Sequence, residues 1–305
     1  METKQRRGPL SFNIGNAPST NRINSIKKQT MPFKSTYVSQ NLNCKFKPPQ
    51  DMRLSEEHIN LAMYIFSSDN DMGENLVHIH DTTASRADLF YLVPGNQVSE
   101  LMIKLMALKA TSNIDKSEIK KVWSLPTSFA DDVSMCMEDH ELVKKYAHYM
   151  PATADLQFIY VPIMENGGDH WYLMVMSIPD KILYHLTHTA ILKTMNHGTA
   201  LSEIIFLEDY AECGLQKLVN FEGWDVGNAI GIPKCTNRND SAVWVIQWMD
   251  IQEEFIPVVP PKLHEEWTRM YSALDLIIGE WNEVRADVDE RFQKWWLNLR
   301  QSNVY

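Results

Sequence analysis

The chain has 305 residues, of which 44% are apolar, so it can bury the core of one large domain or of two small ones. No run of eighteen apolar residues occurs and the basic N-terminal region lacks the apolar segment of a secretory signal, which argues against membrane insertion and secretion. The four cysteines form no Cys-x-x-Cys pair, so we expect no metal site, no disulfide framework and an intracellular location, nuclear or cytoplasmic. No cofactor motif is present, and we expect no cofactor.

The net charge of −10 is unevenly distributed along the chain. Residues 1–50 hold nine basic residues and one acid, which leaves 20 basic and 38 acidic residues, a net charge of −18, for residues 51–305. The first segment is rich in polar residues without apolar periodicity, so we predict a disordered basic tail over 1–50 and one folded domain over 51–305. The tail either contacts nucleic acid weakly, or carries a nuclear address at residues 4–7, or is only a solvated extension.

The first half of the domain shows helical and extended patterns in alternation. Ser55, followed by two acids, predicts the start of a helix that ends at about Phe66. The other predicted elements are a strand at Leu76–His80, a turn at Asp81–Arg86, an amphipathic helix at Val98–Ala110, an extended connector at 122–126 and a helix at Ala130–Met150.

The strongest secondary-structure pattern lies between Leu156 and His188. Three apolar runs of eight or nine residues are separated by Gly167-Gly168-Asp169 and by Pro179-Asp180. Runs of this length between turn residues are typical of three consecutive strands joined by hairpins. The second strand would begin at His170-Trp171.

The second half of the domain is predominantly helical. The predicted elements are a helix at Thr199–Leu218, an extended segment at Gly223–Ile232, a helix whose N-cap is Asp240 or Ser241, and a long amphipathic helix at about Lys262–Leu299. Helices on either side of one mainly antiparallel sheet give an α+β domain.

A polar loop, 233–240, leads into the apolar helix that starts near Ser241. The N-terminus of a helix stabilises an anion, so a nucleophilic side chain gains reactivity there. The architecture is therefore that of a nucleophile site, although the residue present is a serine.

Several short motifs together resemble the ubiquitin-like-protein (SUMO-type) cysteine proteases, in their plant transposon-associated branch. That family has His-Trp on a strand, an Asp after the next strand, a Gln, and Asp-Cys-Gly at a helix start, with the Gln six residues before the Cys. This chain has the following at those positions: His170-Trp171, Leu186-Thr187-His188, Pro233-Lys234-Cys235 and Asp240-Ser241-Ala242. The resemblance covers roughly residues 50–300, and it implies a papain-like fold and cleavage after the C-terminal Gly-Gly of a ubiquitin-like protein.

Most of the family's catalytic residues are replaced. His170 matches the general base, but Thr187 stands at the position of the orienting Asp, Cys235 at the oxyanion Gln and Ser241 at the nucleophile. Trp171, a substrate contact in the family, is retained, whereas the tunnel Trp would fall near Gln97. Loss of the orienting carboxylate can cost about 10⁴ in turnover and loss of an oxyanion donor about 10²–10³.

The resemblance therefore implies a catalytically inactive pseudoprotease whose partner is a ubiquitin-like protein or its conjugates. The alternative is a weak hydrolase that uses Ser241 or Cys235 with His170. Purely structural interpretations also stay open: a strand-end histidine packed on Trp171, a helix N-cap at Ser241 and a buried inert thiol at Cys235. His78 and His80 could share a strand face and bind a metal, but no third ligand is evident.

Overall fold

The computed structural model describes residues 42–112, 122–135, 139–146, 156–164, 170–186, 224–228, 240–250 and 264–302. The predicted helix at 199–218 lies outside these ranges. Within them, no helix combines the length and the apolar character that crossing a bilayer requires.

A five-stranded sheet forms the centre of the domain. Its strands, in spatial order, are β3 (Val122–Ser124), β4 (Phe158–Met164), β5 (Trp171–Ser177), β6 (Ile182–Leu186) and β7 (Asp225–Asn228). β4, β5 and β6 form the antiparallel meander that the sequence predicts, and all seven residues of β5 are buried. The turn between β5 and β6 places Lys181 at a φ of 55°. The two outer strands, β3 and β7, add to the meander in parallel.

The extended conformation predicted at 122–126 is confirmed for its first three residues, but they are not merely a connector, because they pair in the sheet as β3. Val122 pairs with Phe158 and Ser124 with Tyr160, and all three β3 residues are buried. Three residues are too few to show a strand periodicity, so the sequence pattern did not reveal this strand.

Six elements of the described chain precede the sheet. They are α1 (Glu56–Ile65), β1 (Asn75–Ile79), β2 (Thr82–Ser85), α2 (Arg86–Leu89), a 3₁₀ helix (Phe90–Leu92) and α3 (Glu100–Thr111). The predicted cap of α1 is confirmed, since Ser55 Oγ accepts a hydrogen bond from the His58 N–H at 3.2 Å. The predicted turn at Asp81–Arg86 is wrong. The chain turns at His80, whose φ is 54°, and residues 82–85 pair antiparallel with β1.

Residues 42–50, placed in the tail by the sequence analysis, pack on the domain. The Lys45 N–H donates to the Phe66 carbonyl at 2.9 Å, and the Ser68 N–H donates to the Asn43 carbonyl at 2.8 Å. Phe46 is buried and its ring contacts that of Phe66. The disorder of residues 1–41 stays a prediction, because these residues lie outside the described ranges.

Helices cover both the sheet and the β1–β2 hairpin. They are α4 (Ser128–Ser134), α5 (Asp139–Tyr146), α6 (Ser241–Asp250), α7 (Glu265–Ile278) and α8 (Arg285–Ser302). The single helix predicted at Ala130–Met150 overlaps two helices, α4, which begins two residues earlier, and α5, with residues 136–138 and 147–150 outside the described ranges. The helix predicted at Lys262–Leu299 is two helices, because α7 ends at Gly279 and residues 280–284 turn the chain before α8.

α6 packs against one face of the sheet. Ser124, Tyr160 and Val175 are in register on neighbouring strands and therefore share a face, and Ser124 Oγ donates to Met249 Sδ of α6 at 3.6 Å. Eight of the ten residues of α6 are buried, which explains its continuous apolar sequence. The fold thus places the start of a buried helix at one end of β5.

Candidate functional site

His170 and Trp171 lie where β5 begins. Trp171 is the first residue of β5 and pairs with Met164, the last residue of β4. His170 is only 2% exposed and Trp171 only 3%. The histidine that the sequence analysis identified as the base is therefore enclosed rather than presented on an open surface.

Ser241 is the first residue of α6 and is 1% exposed. Its Oγ accepts a hydrogen bond from the Trp171 N–H at 3.0 Å. This bond joins the first turn of α6 to the first residue of β5, next to His170. Ser241 therefore links two elements. Of the two residues predicted as the N-cap, Asp240 and Ser241, it is Asp240 that precedes the first residue of α6.

The environment of Ser241 limits its chemistry. A serine hydroxyl becomes a nucleophile when a neighbouring base removes its proton while the oxygen approaches a substrate carbonyl. Here a lone pair of that oxygen is already engaged by a backbone N–H, and the side chain is out of contact with solvent. Ala242, where the family has glycine, is equally buried behind it.

A second histidine, His185, lies close to His170. It faces Met174 across the β5–β6 pair, and its ring contacts that of Tyr172, with centroids 4.4 Å apart. Burial lowers the pKa of His185 to about 4, with a further contribution from repulsion by His170. His185 is therefore neutral at physiological pH.

His185 is not among the site residues predicted from the sequence. The sequence nevertheless contains a signal for it. Residues two apart on a strand share a face. If β6 continued to position 187, that position would share a face with residue 185. Thr187 and Cys235 themselves lie outside the described residues. The structure therefore brings together His170, Trp171 and Ser241 from the predicted site, with His185 as an addition.

The residue before Ser241 lies near a buried arginine. Arg269 of α7 is 1% exposed, its Nε donates to Glu265 Oε1 at 2.8 Å, and its Nη1 donates to the Tyr91 carbonyl at 3.3 Å. Burial lowers the pKa of Arg269, and the carboxylates of Glu265 and Asp240 oppose that shift. The negative charge of Asp240 is thus offset by Arg269 of α7. This attraction helps to hold the start of α6.

The other end of α6 is held by a buried lysine. Lys109 of α3 contacts Asp250, the last residue of α6, at 3.3 Å, and it also pairs with Asp275 of α7. Burial lowers the pKa of Lys109, but the two carboxylates outweigh it and raise that pKa to about 12. Three helices therefore meet at one cation, which fixes the direction in which α6 points toward β5.

The structure also places two other features named in the sequence analysis, the His78 and His80 pair and Gln97. His78 Nδ1 lies 3.4 Å from Glu283 Oε2, and the His80 N–H donates to the same carboxylate at 3.0 Å. Because His80 occupies the turn after β1, the two histidines do not share a strand face. Gln97, near which the sequence resemblance places the family's tunnel Trp, is exposed just before α3.

Comparison with known proteins gives a likeness of structure. No family model and no curated protein matches the chain. The C-terminal Ulp1 protease domain, solved in complex with Smt3, the yeast orthologue of SUMO, is similar with a TM-score of 0.58 and 14% identity, over 75% of this chain and 97% of that one. The Ulp1-like SUMO protease catalytic domain of Chaetomium thermophilum is similar with a TM-score of 0.55 and 18% identity, over 77% and 95%. The predicted papain-like α+β fold is therefore confirmed.

Proposed function

We propose that this protein is a non-catalytic relative of the ubiquitin-like-protein-specific cysteine peptidases that binds a ubiquitin-like protein or its conjugates. The observation that carries the proposal is the setting of Ser241. It occupies the helix start at which a nucleophile would lie, next to His170, but it is a serine in place of a cysteine, it is 1% exposed, and its oxygen links α6 to the Trp171 N–H.

The residue types explain why cleavage is lost. A cysteine has a pKa of about 8.5 and can be driven below about 7 at such a site, whereas a serine needs a well-oriented base to reach its anion. Thr187 offers no carboxylate to orient His170, and Cys235 offers no amide to the oxyanion. These losses are not additive, because such residues act as a unit, but each alone is large.

The scaffold supports retention of binding. The chain has the fold of the SUMO proteases over most of their catalytic domain, and one of those structures contains a bound SUMO orthologue. Trp171 is retained at the start of β5, an ion pair between Lys109 and Asp250 holds the last residue of α6, and Arg269 attracts Asp240 at its start. Binding of an extended tail needs this shape and these aromatic contacts, but not a nucleophile.

Binding measurements against a panel of ubiquitin-like proteins test the proposal. We expect at least one to bind, and we expect the same protein without its C-terminal Gly-Gly to bind more weakly. Trp171→Phe should weaken binding, whereas Trp267→Phe, a control on α7 with a partly buried indole, should leave it unchanged. Absence of affinity for every member of the panel would contradict the proposal.

A weak hydrolase is the second candidate, and the contact between the first residues of α6 and β5 favours it. His170 precedes Trp171, so a base and a hydroxyl lie on adjoining elements. In that case Ser241 or Cys235 would attack with His170 as base, and His170→Ala would abolish turnover. Activity that is insensitive to His170→Ala would exclude this mechanism.

A further inference from the structure

A groove separate from the Ser241 site lies between the first turns of α1 and the junction of α7 and α8. Its volume is about 910 Å³. The floor is apolar and is made by Leu61, Ile277, Val288 and Phe292, all of which are buried. An apolar floor of this kind accepts aliphatic or aromatic side chains from another segment.

The rim of this groove is acidic. Glu57, Glu280, Glu283 and Asp289 line it, against one basic residue, Arg285. The Glu283 carboxylate already accepts a hydrogen bond from the His80 N–H at the end of β1. The side chains of Glu57, Glu280 and Asp289 are exposed. A ligand for this groove must therefore combine positive charge with apolar side chains.

The chain itself carries such a segment. Residues 1–41 hold seven basic residues and one acid. Within them, residues 27–38 (KKQTMPFKSTYV) combine Lys27, Lys28 and Lys34 with Met31 and Phe33 and contain no acid.

The described chain begins close to the groove. The described chain begins at Leu42, and the next residue, Asn43, is hydrogen-bonded to Ser68 just past the C-terminal end of α1. The groove lies at the other end of α1, whose ten residues span about 15 Å. An extended chain covers about 3.3 Å per residue, so roughly five residues cover that distance and residues 27–38 can reach the groove.

We propose that residues 27–38 dock in cis into this groove, with Lys27, Lys28 and Lys34 on its acidic rim and Met31 and Phe33 on its apolar floor. Because the rim charges are solvent-exposed, the docking is weak and salt-sensitive.

Hydrogen–deuterium exchange of the full-length protein tests this proposal. We expect the amides of residues 27–38 to exchange several-fold more slowly in low salt than in 1 M salt, where the Debye length falls to about 3 Å. The variant Glu57→Lys/Asp289→Lys should lose that protection. The control Glu56→Lys/Asp287→Lys changes exposed acids on the same two helices that do not line the groove, and it should keep the protection.

Changes in the tail complete the design. Lys27→Glu/Lys28→Glu/Lys34→Glu should lose protection, whereas the matched control Lys4→Glu/Arg6→Glu/Arg7→Glu should keep it. Combining the tail reversal with the groove reversal should restore protection, which a misfolded variant could not do. Unprotected residues 27–38 in low salt, equal behaviour of groove and control variants, or protection that depends on protein concentration and so reports a second copy, would each overturn the proposal.

Discussion

One side-chain oxygen connects the two elements of the candidate site. The Ser241 Oγ accepts from the Trp171 N–H in a region where both residues are buried. A buried N–H without an acceptor is costly, so this oxygen stabilises the start of β5 as well as that of α6. The same contact is why we assign Ser241 a structural role in place of a catalytic one.

We predict that Ser241→Ala lowers the free energy of unfolding by about 1–3 kcal/mol, because the Trp171 N–H loses its acceptor. Urea unfolding measures this. Ser99→Ala is the control: the Ser99 Oγ is buried but has no hydrogen-bond partner within the described ranges, so its removal should cost much less. Equal losses in the two variants would contradict the role given to Ser241.

His185 makes the stability of the domain depend on pH. Its folded pKa, about 4, lies below the unfolded value of 6.5, so the unfolded state binds the proton first as the pH falls. The stabilisation is present above pH 6.5 and is lost as the pH falls toward 4.

We predict that the wild-type protein loses at most about 2 kcal/mol through this group between pH 7 and pH 5. His185→Gln should remove that part of the dependence, whereas His264→Gln, at an exposed position, should not. Unfolding free energies measured at both pH values decide the matter. An identical pH slope in wild type and His185→Gln would show that His185 is not the group responsible.

At the scale of elements, the orientation of α6 depends on its two ends. Lys109, at the last turn of α3, pairs with Asp250 of α6 and Asp275 of α7, and Arg269 balances Asp240 at the other end. Buried ion pairs add little net stability, but breaking one leaves a buried charge uncompensated.

Asp275→Asn should therefore lower the free energy of unfolding by about 2 kcal/mol, since Lys109 would keep only Asp250 as a carboxylate partner. Glu280→Gln, an exposed acid just past the end of α7, should change it by less than about 0.5 kcal/mol. Thermal or urea unfolding of the two variants gives the comparison. An Asp275→Asn variant as stable as Glu280→Gln would mean that Lys109 is solvated.

The break between α7 and α8 has a specific cause. The Asn282 Nδ2 donates to the carbonyls of Leu76 and Ile277 at 3.0 and 3.1 Å, and its Oδ1 accepts from the His78 N–H at 2.9 Å. A Cβ at Gly279 would collide with the ring of Trp281. The junction is thus locked onto β1 and cannot continue as one helix.

We expect Asn282→Ala to destabilise the protein by about 3 kcal/mol, because several buried backbone groups lose their partner together. Asn96→Ala, which removes one exposed hydrogen bond to Phe90, should cost clearly less. Denaturant unfolding of both variants checks this. A small effect at Asn282 would show that the junction is held by Trp281 packing alone.

These elements also show how far sequence reasoning reaches. The β4–β5–β6 meander was predictable because each strand is a long apolar run bounded by turn residues. The α7–α8 break was missed because apolar residues continue at helical spacing across Gly279, and β2 was missed because Thr82 and Ala84 are small. The Ser241–Trp171 bond and the pairing of Lys109 depend on how distant elements pack, which no local pattern contains.

At the scale of the whole molecule, the fold and the reaction differ in how much sequence change they tolerate. The chain keeps the architecture of the SUMO proteases at 14–18% identity to the two structures compared, so the fold tolerates nearly complete replacement of its sequence. The reaction tolerates far less, because a triad fails when one member is replaced. Under the proposed function, a site with His170 and Trp171 but with Ser241, Thr187 and Cys235 keeps the shape of a protease site and lacks its cleavage.

Hydrolysis of fluorogenic ubiquitin-like C-terminal substrates tests this claim most directly, with the unmodified protein beside the variant Thr187→Asp/Cys235→Gln/Ser241→Cys/Ala242→Gly. We predict that the unmodified protein does not cleave and that the repaired variant does, because the proposed function requires the fold to keep a binding site for the Gly-Gly tail beside the altered nucleophile position. Cleavage by the unmodified protein, abolished by His170→Ala, would contradict the account and identify a working hydrolase. Failure of both proteins to cleave would show that the binding site for the Gly-Gly tail of the substrate is lost. That result would contradict the account equally.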